Sequence, residues 1–363
     1  MADIKYNRER CRKLIEKSIE TFSLNLKDYT ILTEAATGYY AFTPMIAAIA
    51  AAKRVYLIAG DSRFGKAKQV SRGVLRLAAD WGLKDRIAVL SSRRDMRIKE
   101  ADIVTNLGFV RPLNKELLSL LKPGVVIPLM WETWEYRPED MDILECRRLN
   151  IPVLGTNEQH RRLRTFEYLG YMAAKILFES GLELFSSRVA VLGDRRFGYK
   201  IAHKLNSMGA RVAYLSSHQG SISIKNRIVL KEADALIIAD FCGAKKLIGN
   251  GGIIGAKELF SINPGLLVAH ICGAIDGDAI RSSGLRLFPE KIAEMRHMSL
   301  TLDFVGPRPL IDLHTAGLKV AEEMVKAQLN LADAFRTELA VLKKTKLAQG
   351  FAGYHFNKKR GHR

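Results

Sequence analysis

Two six-residue stretches of the chain, GDSRFG at Gly60–Gly65 and GDRRFG at Gly193–Gly198, nearly repeat, each between a short apolar run and a segment of helical spacing. A strand that turns through glycine into a helix presents the helix's first amides to an anion, the geometry of a phosphate cradle. The second copy has the fuller dinucleotide context: strand, glycine turn, helix, then a second strand ending about twenty residues on. Gly193 permits the tight turn and Gly198 lets the helix pack closely on the strand, while Arg195 stands where a middle glycine would let backbone approach a pyrophosphate. A guanidinium there binds the same anion bidentately, and Arg196 and Phe197 complete the turn. At the end of RVAYLSSH, Ser216, Ser217 and His218 occupy the region where an acid would bond an adenosine ribose. Hydroxyls beside a cation suit a 2′-phosphate, so NADP is the expected cofactor, with NAD as the alternative. The first copy follows the second strand of its own series. It reads as a strand-to-helix turn in which Ser62 and Arg63 at most reach a substrate anion.

A second group of residues sits where strands should end. Thr37 and Gly38 lie in TEAATGYY, Asn106 and Gly108 in TNLGFVRP, and Glu132 in WETWEYRP. Ligands of open α/β sheets gather outside the carboxyl ends of strands, which makes these five residues candidate substrate contacts. Turn chemistry accounts equally well for the glycines and asparagine. His270 ends the apolar run LLVAH, where a histidine either bonds a backbone carbonyl or moves a proton.

The elements that must position these groups alternate. From Tyr29 to about Asn157, apolar runs such as YTILTEA, RVYLIAG and GVVIPLM are interleaved with helical patterns, about five βα units in all. After a long helix, TFEYLGYMAAKILFESG, a second series starts at Arg188 with RVAVLG, RVAYLSS, ADALIIAD and GLLVAHICG. The expected fold class is α/β, with two doubly wound parallel sheets covered on both faces. A last long helix from about Leu318 is expected to return to the first domain.

Composition excludes several classes. At 363 residues, with 48% hydrophobic content, the chain is long enough for two cores. No apolar run reaches the roughly 18 residues that span a membrane, and the charged N-terminus reads as an amphipathic helix, so a cytoplasmic protein without a membrane partner is expected. Cys11, Cys146, Cys242 and Cys272 form no C-x-x-C pair, which points to reduced structural thiols and no metal. Against 38 acidic residues stand 57 Lys and Arg, a formal net charge of +19. The excess is scattered through SSRRDMRIK, HRRLR, KKTK and NKKRGHR without an aromatic-basic module, so no specific nucleic acid is expected and a small anionic substrate is.

Several ordered segments between about Asp102 and Asp333 resemble the D-isomer-specific 2-hydroxyacid dehydrogenases. ADIVTNLGFVRPLNKELLSLLKPGVVIPL and CRRLNIPVLGTN look like the end of that family's substrate domain, GDRRFG is similar to its G-x-G-R-I-G turn, and LIDLHTAGLKVAEEM is similar to its P-H-x-A-G histidine segment. The resemblance implies a discontinuous flavodoxin-like substrate domain, residues 1–165 plus 318–363, and a Rossmann cofactor domain, residues 166–317. It also implies a homodimer. On this likeness His314 is the acid or base for the substrate oxygen. Arg308 stands where the family has a glutamate, and the family's substrate-binding arginine falls at Ile271–Cys272, which leaves Cys272 as a cofactor-side residue. AHICGAID is similar to the cofactor-side segment of S-adenosylhomocysteine hydrolases, with His270 matching the histidine of that segment. The expected function is therefore an NAD(P)-dependent oxidoreductase acting on an anionic substrate, in which His314 moves the proton and Arg308 holds an anion. The alternative is a nucleotide-binding protein of the same fold without redox turnover.

Overall fold

The computed structural model describes residues 7–218, 223–241 and 243–351. Cys242 lies outside them. The chain divides into two compact units, residues 1–163 with 307–363 and residues 164–306. The second crossing falls at Pro307, not near Leu318, because Pro307 and Pro309 occupy the first turn of one continuous helix. Proline is tolerated there, since the first-turn N–H groups have no helical partner.

Unit 1 begins with α1 (Arg8–Phe22), capped by the Asn7 side chain on the Arg10 amide, which buries Cys11, Leu14, Ile15 and Phe22. Then follow β1 (Thr30–Glu34), α2 (Phe42–Ile49), β2 (Arg54–Ile58), α3 (Ala67–Asp80), β3 (Ile87–Val89), β4 (Ile103–Val104), α4 (Lys115–Leu118), β5 (Ile127–Pro128), α5 (Ile143–Arg148) and β6 (Val153–Thr156). Strands β3-β2-β1-β4 form one parallel sheet. The parallel Ile103–Val126 bridge carries the pairing from β4 toward β5, which pairs parallel with β6. The order β3-β2-β1-β4-β5-β6 is the doubly wound 3-2-1-4-5-6 order. All five residues of β1 are buried. Ile31 packs into one apolar cluster and Leu32 into another, as expected of a strand covered on both faces.

Unit 2 runs through α6 (Thr165–Glu179), β7 (Arg188–Gly193), α7 (Gly198–Ser207), β8 (Arg211–Ser216), α8 (Ile224–Glu232), β9 (Ala235–Ala239), β10 (Lys246–Ile248), α9 (Ala256–Ile262), β11 (Leu267–Cys272), β12 (Ala274–Ile275), α10 (Gly277–Ser282) and β13 (Arg286–Phe288). Its parallel sheet has the order β13-β11-β9-β7-β8, and β10 pairs with β12 in a separate ribbon. Numbered along the unit this is the doubly wound 2-1-3-4-5 order, and among the described residues nothing pairs outside β8. The chain then returns to unit 1 through α11 (Pro307–Leu331), α12 (Ala334–Lys344) and β14 (Ala348–Gln349), which pairs antiparallel with β6. Helix α11 packs on α1, α2 and β6, placing Ile311, Leu318 and Ala321 in the same cluster as Leu14, Ile15 and Met45. Among the described residues no helix is long and apolar enough to cross a membrane.

Candidate functional site

In unit 2 the direction of the sheet order reverses between β7 and β9, where a doubly wound sheet opens a crevice at its carboxyl edge. Gly193 ends β7 so close to β9 that an added Cβ would stand 2.0 Å from the Ala239 carbonyl oxygen. A Cβ on Gly198 would stand 2.9 Å from the Gly193 Cα. Both glycines of the turn are thus required by backbone approach. The Tyr214 hydroxyl and the Ser217 amide both donate to the Gly193 carbonyl, at 3.0 Å each, tying the turn to the end of β8. Ser216 is half-buried, Ser217 buried and His218 exposed.

The residues inside the turn divide by exposure. Arg195 is exposed, its guanidinium 6.0 Å from the Tyr199 ring centroid, and Arg196 is half-buried. The Phe197 ring is buried, stacked on Phe241 at 5.3 Å and edge-on to Phe166 at 5.7 Å, so it serves the core rather than a ligand. The Asp194 carboxylate is the feature that glycine spacing does not reveal. It is 4% exposed and accepts the Phe197 N–H at 2.7 Å. Asp240, at the end of β9, is equally buried and accepts the Gly243 N–H at 3.1 Å; burial raises its carboxyl pKa, and the Asp194 charge adds to the rise. The backbone cradle fits a nucleotide diphosphate, while one of its amides is already held by a carboxylate.

His270 is fully buried with both ring nitrogens engaged, Nδ1 with the Ser299 hydroxyl at 2.7 Å and Nε2 with the Gly273 carbonyl at 2.8 Å. The Ala293 amide donates to the same Ser299 oxygen, and burial lowers the pKa of the ring. The geometry gives His270 a structural task in place of the catalytic one expected. Cys272 is buried at the end of β11, where its carbonyl accepts the Asp240 N–H, so its side chain offers no exposed cofactor contact.

In unit 1 the sheet order reverses between β1 and β4, and the last residue of β1 is Glu34. This carboxyl is 5% exposed, accepts the Phe109 N–H at 3.2 Å, and is pushed up to about 7 by burial, against the pull of that amide and of Arg111. Gly108 lies against it: a Cβ there would stand 1.8 Å from the carboxylate, which would have to turn away. The signal for Glu34 is an ionisable residue at the end of an otherwise apolar strand. Of the five expected substrate contacts, Thr37 and Gly38 are exposed, Asn106 is buried with its side-chain oxygen on the Met130 amide at 2.9 Å, and Gly108 flanks Glu34. Glu132 is fully buried; its Oε2 accepts the Trp134 indole N–H and its Oε1 has no partner. Two more carboxyls join it. Burial raises Glu135 to about 7, with the Glu132 charge adding to the rise, and raises Glu158 well above its ordinary value, with the Glu135 and Glu132 charges adding to it. Among the described residues no cluster of His, Cys, Asp and Glu has the geometry to hold a metal.

Arg93 fixes the loop that carries Phe109. Its Nη1 donates to the carbonyls of Phe109, Val110 and Arg111 at 2.9, 2.7 and 2.7 Å, and its Nη2 to that of Pro112 at 2.5 Å. Arg93→Ala is expected to cost about 2 kcal/mol, since four carbonyls lose a charged donor. Amide exchange at Phe109–Arg111 should quicken; unchanged exchange there refutes the clamp.

His314 and Arg308, expected to act together, are not brought together. Six residues of helix separate them by about 9 Å along the axis and about 120° around it. Arg308 is exposed in the first turn of α11, whereas His314 is 3% exposed. The His314 Nδ1 lies 2.6 Å from the Thr43 hydroxyl, and its ring centroid is 5.8 Å from that of Tyr40. Burial holds the ring down at about 3, so it is neutral at physiological pH and carries no carboxylate partner among the described residues. Burial raises the pKa of Asp312 on the same helix, with the Arg308 charge opposing the rise.

No family model matches the chain, and no curated protein matches it by sequence. Solved structures do. A dipicolinate synthase chain from Bacillus halodurans is 14% identical, with 83% of this chain and 98% of that one covered, at a TM-score of 0.50. Its counterpart in the dipicolinate synthase of Bacillus subtilis is 12% identical, with 84% and 99% covered, at 0.51. An NAD-dependent formate dehydrogenase from Staphylococcus aureus, solved in complex with NAD, is 10% identical, with 80% and 93% covered, at 0.39. The chain shares with such proteins a two-unit architecture of Rossmann-like parallel sheets. At these identities the likeness is one of fold.

Proposed function

We propose that the chain is an NAD(P)-dependent oxidoreductase in which unit 2 binds the nucleotide and unit 1 handles a small anionic substrate. The observation that carries this reading is the contact of Gly193 with Ala239 and Gly198, a strand–turn–helix closed tightly enough to aim the first amides of α7 at a diphosphate. Gly193, Arg195, Arg196 and Gly198 would hold the diphosphate. Ser216, Ser217 and His218, with no carboxylate among them, would meet the adenosine ribose and favour a 2′-phosphate. When bound, the nicotinamide supplies a hydride acceptor or donor.

In unit 1 the proton is assigned to Glu34, whose carboxyl titrates near the working pH, the condition for efficient acid–base catalysis. His314 then serves as a neutral hydrogen-bonding group fixed by Thr43. The buried Arg111 Nε, which has no acceptor among the described residues, suits an anionic group of the substrate; its guanidinium already rests over Trp131 at 5.3 Å and bonds Asp140 at 2.9 Å. Glu132 Oε1 remains for a substrate donor.

Calorimetric titration tests the cofactor. NADPH is expected to bind more tightly than NADH, and tenfold tighter binding of NADH, about 1.4 kcal/mol, overturns the preference. Binding of neither favours the other reading, a protein of this fold without redox turnover, for which Arg195 at the close-approach position is the supporting observation.

A further inference from the structure

We propose that Asp194 is a resident anion of the Gly193–Gly198 turn, occupying with its own carboxylate the Phe197 amide that a nucleotide diphosphate would use. Nucleotide binding then requires that carboxylate to leave. The inference rests on the nucleotide reading of unit 2 and adds a residue that sets its affinity.

The Asp194 backbone is pinned on both sides. Its N–H donates to the Ala239 carbonyl at 3.2 Å and its C=O accepts the Tyr199 N–H at 3.1 Å, so the residue cannot withdraw as a whole. Only the side chain can turn. Its Oδ1 takes the Phe197 N–H at 2.7 Å, a charge-assisted bond to the N-cap amide of α7 in a setting almost closed to water. A diphosphate entering the cradle would trade this bond for an equivalent one and gain little. It would also approach two buried carboxylates, since Asp240 stands at the adjoining strand end. Arg195 and Arg196 attract the ligand from the rim without displacing the occupant.

The first copy of the motif uses its aspartate differently. Asp61, at the corresponding place in GDSRFG, accepts the Ala67 N–H, the first residue of α3, at 2.8 Å, and its other oxygen takes the Lys66 ammonium at 2.8 Å. There the Phe64 N–H, the counterpart of the Phe197 N–H, goes to the Ser62 hydroxyl at 3.1 Å, so only the second copy spends its aspartate on that amide. In the first copy the carboxylate is exposed and Phe64 is 60% exposed; in the second both the aspartate and the phenylalanine are buried. The second copy alone uses this side chain where a phosphate cradle uses its ligand.

The test is calorimetry on the full chain with inorganic diphosphate and with NADPH as probes, comparing wild type, Asp194→Asn and Asp194→Ala. Asparagine removes the charge and keeps a capping oxygen, which preserves the fold. Alanine empties the amide. Both variants are expected to bind diphosphate at least tenfold more tightly than wild type, alanine more than asparagine. Equal or weaker binding by natively folded variants overturns the inference. A gain for diphosphate without measurable NADPH binding supports the resident anion and removes the nucleotide reading. NADPH binding by wild type that neither substitution changes upholds the nucleotide reading and overturns the role of Asp194.

Discussion

Glu34→Gln is expected to make unit 1 more stable above pH 7, by up to about 3 kcal/mol, and to leave stability near pH 4 unchanged. The sign follows from the direction of the shift. Burial raises the folded-state pKa from 4.5 to about 7, with Phe109 N–H and Arg111 opposing the rise. Below the unfolded value both states hold the proton and the buried group carries no penalty. Between 4.5 and about 7 only the folded state holds it, so stability falls progressively as pH rises through that window. Above it the folded state carries the buried charge. Glutamine imitates the protonated acid at every pH, and its advantage should grow across the same window. Denaturant midpoints at pH 4 and pH 8 check this. An equal offset at both would mean that Glu34 titrates as an ordinary carboxylate. With Glu34 moving the proton as proposed, the same variant should lose any turnover that depends on proton transfer in unit 1.

The second large effect lies in the other unit. Gly193→Ala is expected to destabilise unit 2 by about 3 kcal/mol or more, because its Cβ would stand 2.0 Å from a backbone carbonyl oxygen and strand β9 cannot yield without breaking its ladder. Amide exchange at Leu192 and Ala239 should accelerate together. Gly73→Ala is the contrasting case: Gly73 lies on the exposed face of α3 with nothing within 4 Å of an added Cβ, and the substitution is expected to stabilise the helix by about 1 kcal/mol. Loss of stability at Gly73, or none at Gly193, contradicts the packing described.

Periodicity carries most of the architecture. Alternating apolar runs and helical segments identify both parallel sheets, and the strand-to-helix character of GDSRFG and GDRRFG is legible from glycine spacing. Side-chain direction is harder to read. The return to the first domain is expected near Leu318, whereas the helix starts at Pro307, where prolines in the first turn replace amides that need no helical partner. With the helix started at Pro307, its 3.6-residue period alone places Arg308 and His314 on different faces. Asp194 and Glu34 escape for a related reason. Each stands next to residues that match a known pattern, and what matters about each is a single amide it faces, a contact made by tertiary structure.

The division of unit 1 between the two ends of the sequence bears on how the protein is made. Its core joins Leu14 and Ile15 on α1 to Leu318 and Ala321 on α11, so residues on either side of unit 2 must meet before that core closes. A chain emerging from the ribosome at roughly 5–20 residues per second presents the apolar faces of α1 and α2 early and supplies their covering helix only at the end. Residues 164–306, contiguous in sequence, can complete their own sheet in the interval.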